Sequence, residues 1–274
     1  MSKSRNSLKL CARSFILALV AVISFSHVAV AHSDVPFNVD SIMSDDELAA
    51  EFGPAPKRSQ VAPLMADQPA ARMTAAHASF RDLLSDELLR YYEAILYVNK
   101  AAAGATAQTL RIFTRTVPGG DWAETKSLKV STGREKAEQY FTSTPAGIFN
   151  IDGDRVFKMA YSAKWGGSPM PFAMFLDVQF ATRKTGIAIH GAPHGSENRL
   201  GTRASGGCVR VGNRAVEELY NWITTSLRGR VPQFVFDRSI GKTSPKGVIA
   251  RDASGQPILK NGYKVLVVIV DERD

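Results

Sequence analysis

Apolar positions change their spacing several times along the chain. An unbroken apolar run, "SFILALVAVISF", fills residues 14–25. From 32 to 75 no period is visible, and Pro54, Pro56, Pro63 and Pro69 remove backbone donors and oppose helix. This stretch reads as a Pro/Ala-rich flexible linker, in which "SIMSDDELAAEF" has the makings of one helical turn capped by Ser44 or Asp45. Over 76–105, Phe80, Leu83, Leu84, Leu88, Tyr91, Tyr92, Ile95 and Leu96 fall near helical spacing, which predicts a helical extension stopped at Gly104.

Beyond 106 the period shortens to that of strands. "TLRIFTRTV" (109–117), "SLKVSTG" (127–133), "AGIFNID" (146–152), "RVFKMAY" (155–161), "MPFAMFLDVQF" (170–180) and "TGIAIHG" (185–191) are separated by Gly, Pro and Asp. One clear helix follows, "NRAVEELYNWITTSL" (213–227), with Asn213 as its expected cap and Val216, Leu219, Tyr220 and Ile223 as its apolar face. "VPQFVFD" (231–237) and "YKVLVVIVDE" (263–272) close the chain as strands, with 239–262 as a turn-rich, exposed excursion. Many short strands and one late helix predict a mainly β domain over 106–274, a barrel or a sandwich.

Charge changes the reading of the first residues. Lys3, Arg5, Lys9 and Arg13 precede the apolar run without an acid, and Ala29-Val30-Ala31 follows it as a small-x-small site. Residues 1–31 therefore read as a secretory signal peptide, and the run is too short to span a bilayer comfortably. Cleavage would remove those four positive charges and lower the formal net charge from +8 to +4. It would also remove Cys11 and leave Cys208 as the only cysteine. An exported chain with one thiol forms no internal disulfide, so that thiol pairs with another chain, is kept for its reactivity, or is a buried inert residue. The predicted location is the periplasm or cell wall, without a stable membrane anchor after cleavage. No Arg/Lys stripe with interleaved aromatics is present, so nucleic acid is not an expected partner.

Candidate chemistry gathers in "GIAIHGAPHGSENRLGTRASGGCVRVGN", residues 186–213. His190 ends a predicted strand, and Cys208 sits in a Gly-rich turn before the helix. A thiol attacks a carbonyl as thiolate, an imidazole can take its proton, and a turn feeding a helix N-terminus is expected to lower the thiol pKa further. Gly206 and Gly207 lack Cβ, so their amides can approach a ligand, and the amides of Gly207 and Cys208 are candidate oxyanion donors. Arg210 lies two residues past the thiol and has the planar fork that holds a carboxylate. His190 and His194 have the spacing of a helical zinc pair, but Gly191 and Pro193 oppose a helix there and no Glu lies between them. No metal and no cofactor are expected, and His194 reads as a bystander near the cleft entrance. Tyr161, Phe172 and Met174 are candidates to line that cleft, although alternating strand residues are more often core.

His190-Gly191, the fourteen residues between His190 and Ser205, and then "SGGCVRV" resemble the signature of the L,D-transpeptidase catalytic domain, the YkuD family. "LKVSTGREKAEQYFTSTPAGIFNI" resembles the family's STG and TPxGxF elements, and "MPFAMFLDVQFATRKTGIAIHG" its aromatic strand leading into His-Gly. The resemblance covers roughly 107–237, with the last strand completing the barrel. One departure is Gly206, where many members carry a histidine.

The resemblance implies a β-sandwich or barrel with the Cys loop on one rim, and acyl transfer on peptidoglycan stem peptides. Cys208 is the implied nucleophile and His190 the base. The carbonyl of Gly191 is implied to hold the second ring nitrogen, in place of the acid of a Ser-His-Asp triad. Ser205 is implied either to support the loop or simply to stabilise a turn. The implied acceptor is an amine, on a second stem or on a protein, and carbapenem-type inhibitors are expected to react. Water as acceptor, giving a carboxypeptidase or amidase, and a non-catalytic wall-binding module are the competing readings.

Overall fold

The structure, a computed structural model, describes residues 82–115, 117, 120–139, 142–193 and 195–273. The expected leader, the linker and the start of the helical extension lie outside the described residues. Eight strands close into a barrel: β1 (Ala94–Asn99), β2 (Thr109–Arg115), β3 (Trp122–Ser131), β4 (Gly147–Ser162), β5 (Ser168–Leu176), β8 (Ala188–Gly191), β9 (Val209–Val211) and β14 (Val265–Val270). Their order around the wall is β1-β14-β4-β5-β8-β9-β3-β2. Neighbours run antiparallel except β1 with β14 and β8 with β9. The remaining strands are short: β6 (Gln179–Phe180), β7 (Arg183–Lys184), β11 (Phe236–Asp237) and β12 (Lys242–Thr243) form one sheet, and β10 (Arg228–Pro232) pairs with β13 (Leu259–Tyr263).

Side-chain alternation explains the closed wall. In β1, Ala94, Leu96 and Val98 join the barrel interior with Leu110, Ile112, Phe149, Met174, Ile189, Val267 and Ile269. Ile95 and Tyr97 join a second cluster on the outside, with Phe113, Leu266, Val268 and Phe234. A strand buried on both faces shows no polar alternation. That is why the helical expectation fails over Ala94–Asn99, although 82–83 and 86–89 are helical. Asp86–Leu89 is a one-turn helix, α1, with Ser85 Oγ accepting from the Leu88 N–H at 3.2 Å. The apolar run that follows is the strand β1, and the barrel therefore begins before 106. Gly104 does not stop a helix; it turns the chain between β1 and β2 at φ 121°.

Two further expectations change. The two strands expected over 146–161 are one long strand, β4, whose pairing with β5 shifts between Ile151 and Val156. The segment 239–262 is turn-rich and exposed over 251–256, as expected, but it also supplies β12 and most of β13, and Pro245 O accepts from the Ile148 N–H at 2.8 Å. The late helix, α2, spans Asn213–Ser226, and its Val216, Leu219 and Ile223 pack into the interior cluster. Gly212, not Asn213, is its N-cap residue, and the Asn213 N–H donates to Glu197 Oε1 at 2.7 Å. The cap is thus borrowed from a turn sixteen residues earlier, which no local pattern announces.

Candidate active site

Parallel pairing of β8 with β9 sets Ile189 beside Val209, His190 beside Arg210 and Gly191 beside Val211. Ile189, Val209 and Val211 fill the interior, so alternation turns His190 and Arg210 to the outer wall. Cys208, one residue before β9, shares the parity of Arg210. Its side chain is half-buried against an outer apolar cluster of Ala160, Met170, Ala173, Phe175 and Ala188. Thiol, imidazole and guanidinium are therefore assembled on one face by two strand ends and the turn between Ser205 and Cys208.

His190 is only 3% exposed, and its Nδ1 lies 2.7 Å from Gly191 O. A carbonyl accepts only, so Nδ1 carries the proton and Nε2 is left as the basic nitrogen. Burial pulls the imidazole pKa down to about 4; the Gly191 carbonyl opposes this and the Arg210 guanidinium adds to it. The Cys208 thiol donates to Gly186 O at 3.5 Å. Burial pushes its pKa up, against the Ala188 backbone and Arg210, which lower it. Burial thus disfavours the charged form of both the thiol and the imidazole. The lowered thiol pKa expected from a turn near a helix N-terminus is not found. The strand β9 separates Cys208 from α2, and desolvation outweighs the remaining attractions.

The Gly-rich turn is built differently from its sequence reading. Gly207 has φ 117°, a conformation that favours glycine, but its N–H donates to Ser205 Oγ at 3.0 Å and does not face an incoming ligand. Ser205 Oγ in turn donates to Cys208 O at 2.6 Å, so the fully buried serine ties the loop to itself. Gly206 makes room for the indole of Trp165, since a Cβ there would meet the ring at 2.4 Å. Gly191 is confined in the same way by Asn213 Oδ1, at 2.4 Å from such a Cβ.

The STG and TP elements meet beneath this turn. Ser131 Oγ accepts from the Ala204 N–H at 3.2 Å, and Thr132 O from the Ser205 N–H at 2.8 Å. Gln108 holds Thr132 through its N–H and hydroxyl. The Gly133 N–H donates to Thr144 Oγ1, and that hydroxyl donates to Gly207 O, both at 2.8 Å. Lys100, almost buried, bridges Glu135 Oε1 at 3.1 Å and Thr144 O at 2.8 Å. Sequence reading found STG and TP as motifs but missed Gln108, Lys100 and Glu135: Lys100 was a polar residue inside the expected helix, and the other two lay between predicted elements.

Arg210 is half-buried, and burial lowers its pKa; the thiol opposes this, while Arg134 and Arg199 add to it. Arg134 also stacks over Trp165, 5.1 Å from the ring centroid. None of these three arginines pairs with a carboxylate among the described residues. The face beside Cys208 is thus apolar on one side and cationic on the other, which suits an acyl donor bearing a carboxylate. Of the cleft candidates, Tyr161 is 38% exposed, while Met174 is in the core and Phe172 packs on Tyr220 at 5.6 Å. His194 lies outside the described residues. Among the described residues no group of three His, Cys, Asp or Glu side chains could hold a metal.

A family model described as the L,D-transpeptidase catalytic domain (YkuD) matches residues 98–249. Similar solved structures include an L,D-transpeptidase from Xylanimonas cellulosilytica, at 18% identity and TM-score 0.33, covering 65% of this chain and 61% of that one. One from Mycobacterium smegmatis has 15% identity and TM-score 0.35, covering 65% and 59%. L,D-transpeptidase 3 from Mycobacterium tuberculosis, solved with a faropenem-derived adduct, has 14% identity and TM-score 0.34, covering 66% and 61%. This chain spans about three fifths of the length of each. No curated protein matches it.

Proposed function

Because the chain belongs to the L,D-transpeptidase catalytic domain (YkuD) family, we propose that it is an exported cysteine acyltransferase acting on peptidoglycan stem peptides. The observation that carries the reading is the Cys208–His190 arrangement, with His190 Nδ1 held by Gly191 O and the thiol beside Arg210. Burial disfavours both thiolate and imidazolium, so proton transfer accompanies attack. His190 Nε2 takes the thiol proton as Sγ adds to the carbonyl that precedes a terminal D-alanine. The tetrahedral oxyanion forms next to the N–H of Cys208. On collapse the amide C–N bond breaks, His190 gives the proton to the departing amine, and D-alanine leaves with a thioester on Cys208. An acceptor amine, from a second stem or a protein, then adds to the thioester, with His190 again as base, and the thiol is regenerated. Arg210 supplies charge for a donor carboxylate, with Arg134 and Arg199 beside it.

Residues 1–31 support export to the periplasm or cell wall, where this substrate lies. Incubation of the mature protein with a carbapenem should give one covalent adduct on Cys208, read by intact-protein and peptide mass spectrometry. Persistence of that adduct in Cys208→Ala would overturn the assignment. Incubation with tetrapeptide muropeptides should release D-alanine and form new cross-links; trimmed stems alone would make water the acceptor.

A further inference from the structure

Thr144 holds the direction of the amide that faces the reacting carbonyl. Every described peptide bond is trans, so in the unit joining Gly207 to Cys208 the C=O and the N–H point in opposite directions. Thr144 Oγ1 donates to that C=O at 2.8 Å, from a residue with no solvent exposure. Its hydroxyl has one proton, spent on Gly207 O, and it accepts the Gly133 N–H in turn. The hydroxyl is therefore committed on both sides and cannot swing away without leaving two buried backbone groups unpaired. The preceding amide is fixed as well, because the Gly207 N–H is held by Ser205 Oγ.

Gly207 is the joint between these two peptide units. At φ 117° a glycine has the widest choice of backbone angles, and the turn alone does not dictate which way the Cys208 N–H points. With the Gly207 N–H turned inward to Ser205, the Cys208 N–H is the backbone donor closest in the chain to the thiol. We infer that Thr144 is a positioning residue for acyl transfer: by holding Gly207 O it aims the Cys208 N–H at the oxyanion formed when Cys208 Sγ adds to a carbonyl. Lys100 and Glu135 hold Thr144 from behind, through its carbonyl and its N–H respectively. The inference rests on the acyl-transfer reading of Cys208.

The test compares two reactions of one thiol. Acylation by 4-nitrophenyl acetate passes through an oxyanion; alkylation by iodoacetamide displaces iodide and forms none. Both rates are read at Cys208 by peptide mass spectrometry in the full chain, for the wild type, Thr144→Val and Thr144→Ser. Removing an oxyanion donor costs roughly 10²–10³-fold, and a misdirected one should cost about 10-fold or more. Thr144→Val is expected to lower acylation by that factor, leave alkylation within about 2-fold, and regain acylation in Thr144→Ser. A merely structural role would slow both reactions together, and an unchanged ratio would overturn the inference. So would a wild-type ratio no higher than that of free cysteine. If Thr144→Val fails to fold, Ser205→Ala, which frees the opposite side of Gly207, should shift the same ratio in the same direction, and no shift overturns the inference. Carbapenem adduct formation on the wild type separately tests the acyl-transfer reading itself.

Discussion

One buried ring should account for a distinct part of the stability this protein loses on acidification. His190 is buried, and in the fold it titrates near 4, whereas an unperturbed histidine titrates at 6.5. Each decade of proton affinity is worth about 1.4 kcal/mol, so this gap amounts to ~3 kcal/mol. Above pH 6.5 neither state binds the proton and His190 adds no pH dependence. As the pH falls from 6.5 toward 4, the unfolded chain takes up the proton while the native ring does not, and stability drops. Below about 4 the native ring is protonated too and the loss stops growing.

The assay is urea unfolding at neutral pH and near pH 4, on the wild type and on His190→Gln. Glutamine has similar bulk, keeps a donor for Gly191 O and does not titrate. Carboxylates such as Asp152, held below the ordinary range despite burial by Lys184 and Arg155, lose stability on acidification in both proteins and cancel in the comparison. The wild type should lose about 3 kcal/mol more than the variant across this window. Parallel losses in the two proteins would refute the buried, neutral imidazole.

Two further outcomes follow from the same geometry. Cys208 alkylation by iodoacetamide should be slow at neutral pH and still rising at pH 9.0, the ordinary thiol value, because burial raises this thiol; a rate already flat in acid would show a thiolate–imidazolium pair instead. Gly133→Ala would place a Cβ 2.0 Å from Thr142 O and 2.8 Å from Thr144 N, both backbone atoms. Such overpacking costs ~3 kcal/mol, or roughly 6–12 °C of melting temperature in a domain this size, with slower acylation of Cys208; a melt within about 2 °C of wild type would contradict it.

The candidate residues of the site could be picked out because they are local and their types are rare. One cysteine, a histidine closing a strand and an arginine two residues past the thiol are visible as letters, and the structure brings all three to one face. The mainly β class was legible for the same kind of reason, since strand runs and their punctuation are short-range. The strand β1 was not: burial on both faces erased its alternation and left spacing that also fits a helix.

What the sequence determined by itself is which side chains are candidates for chemistry and roughly where the strands and α2 lie, because residue type and short-range periodicity need no partner. What only the tertiary structure decided is how those groups are held. Desolvation raises the thiol pKa and lowers that of the imidazole, where local logic suggested an activated thiolate. Closing the barrel brings Thr144 against the Cys208 turn, so the Gly207 carbonyl is held by a hydroxyl distant in sequence, a contact no local pattern announces.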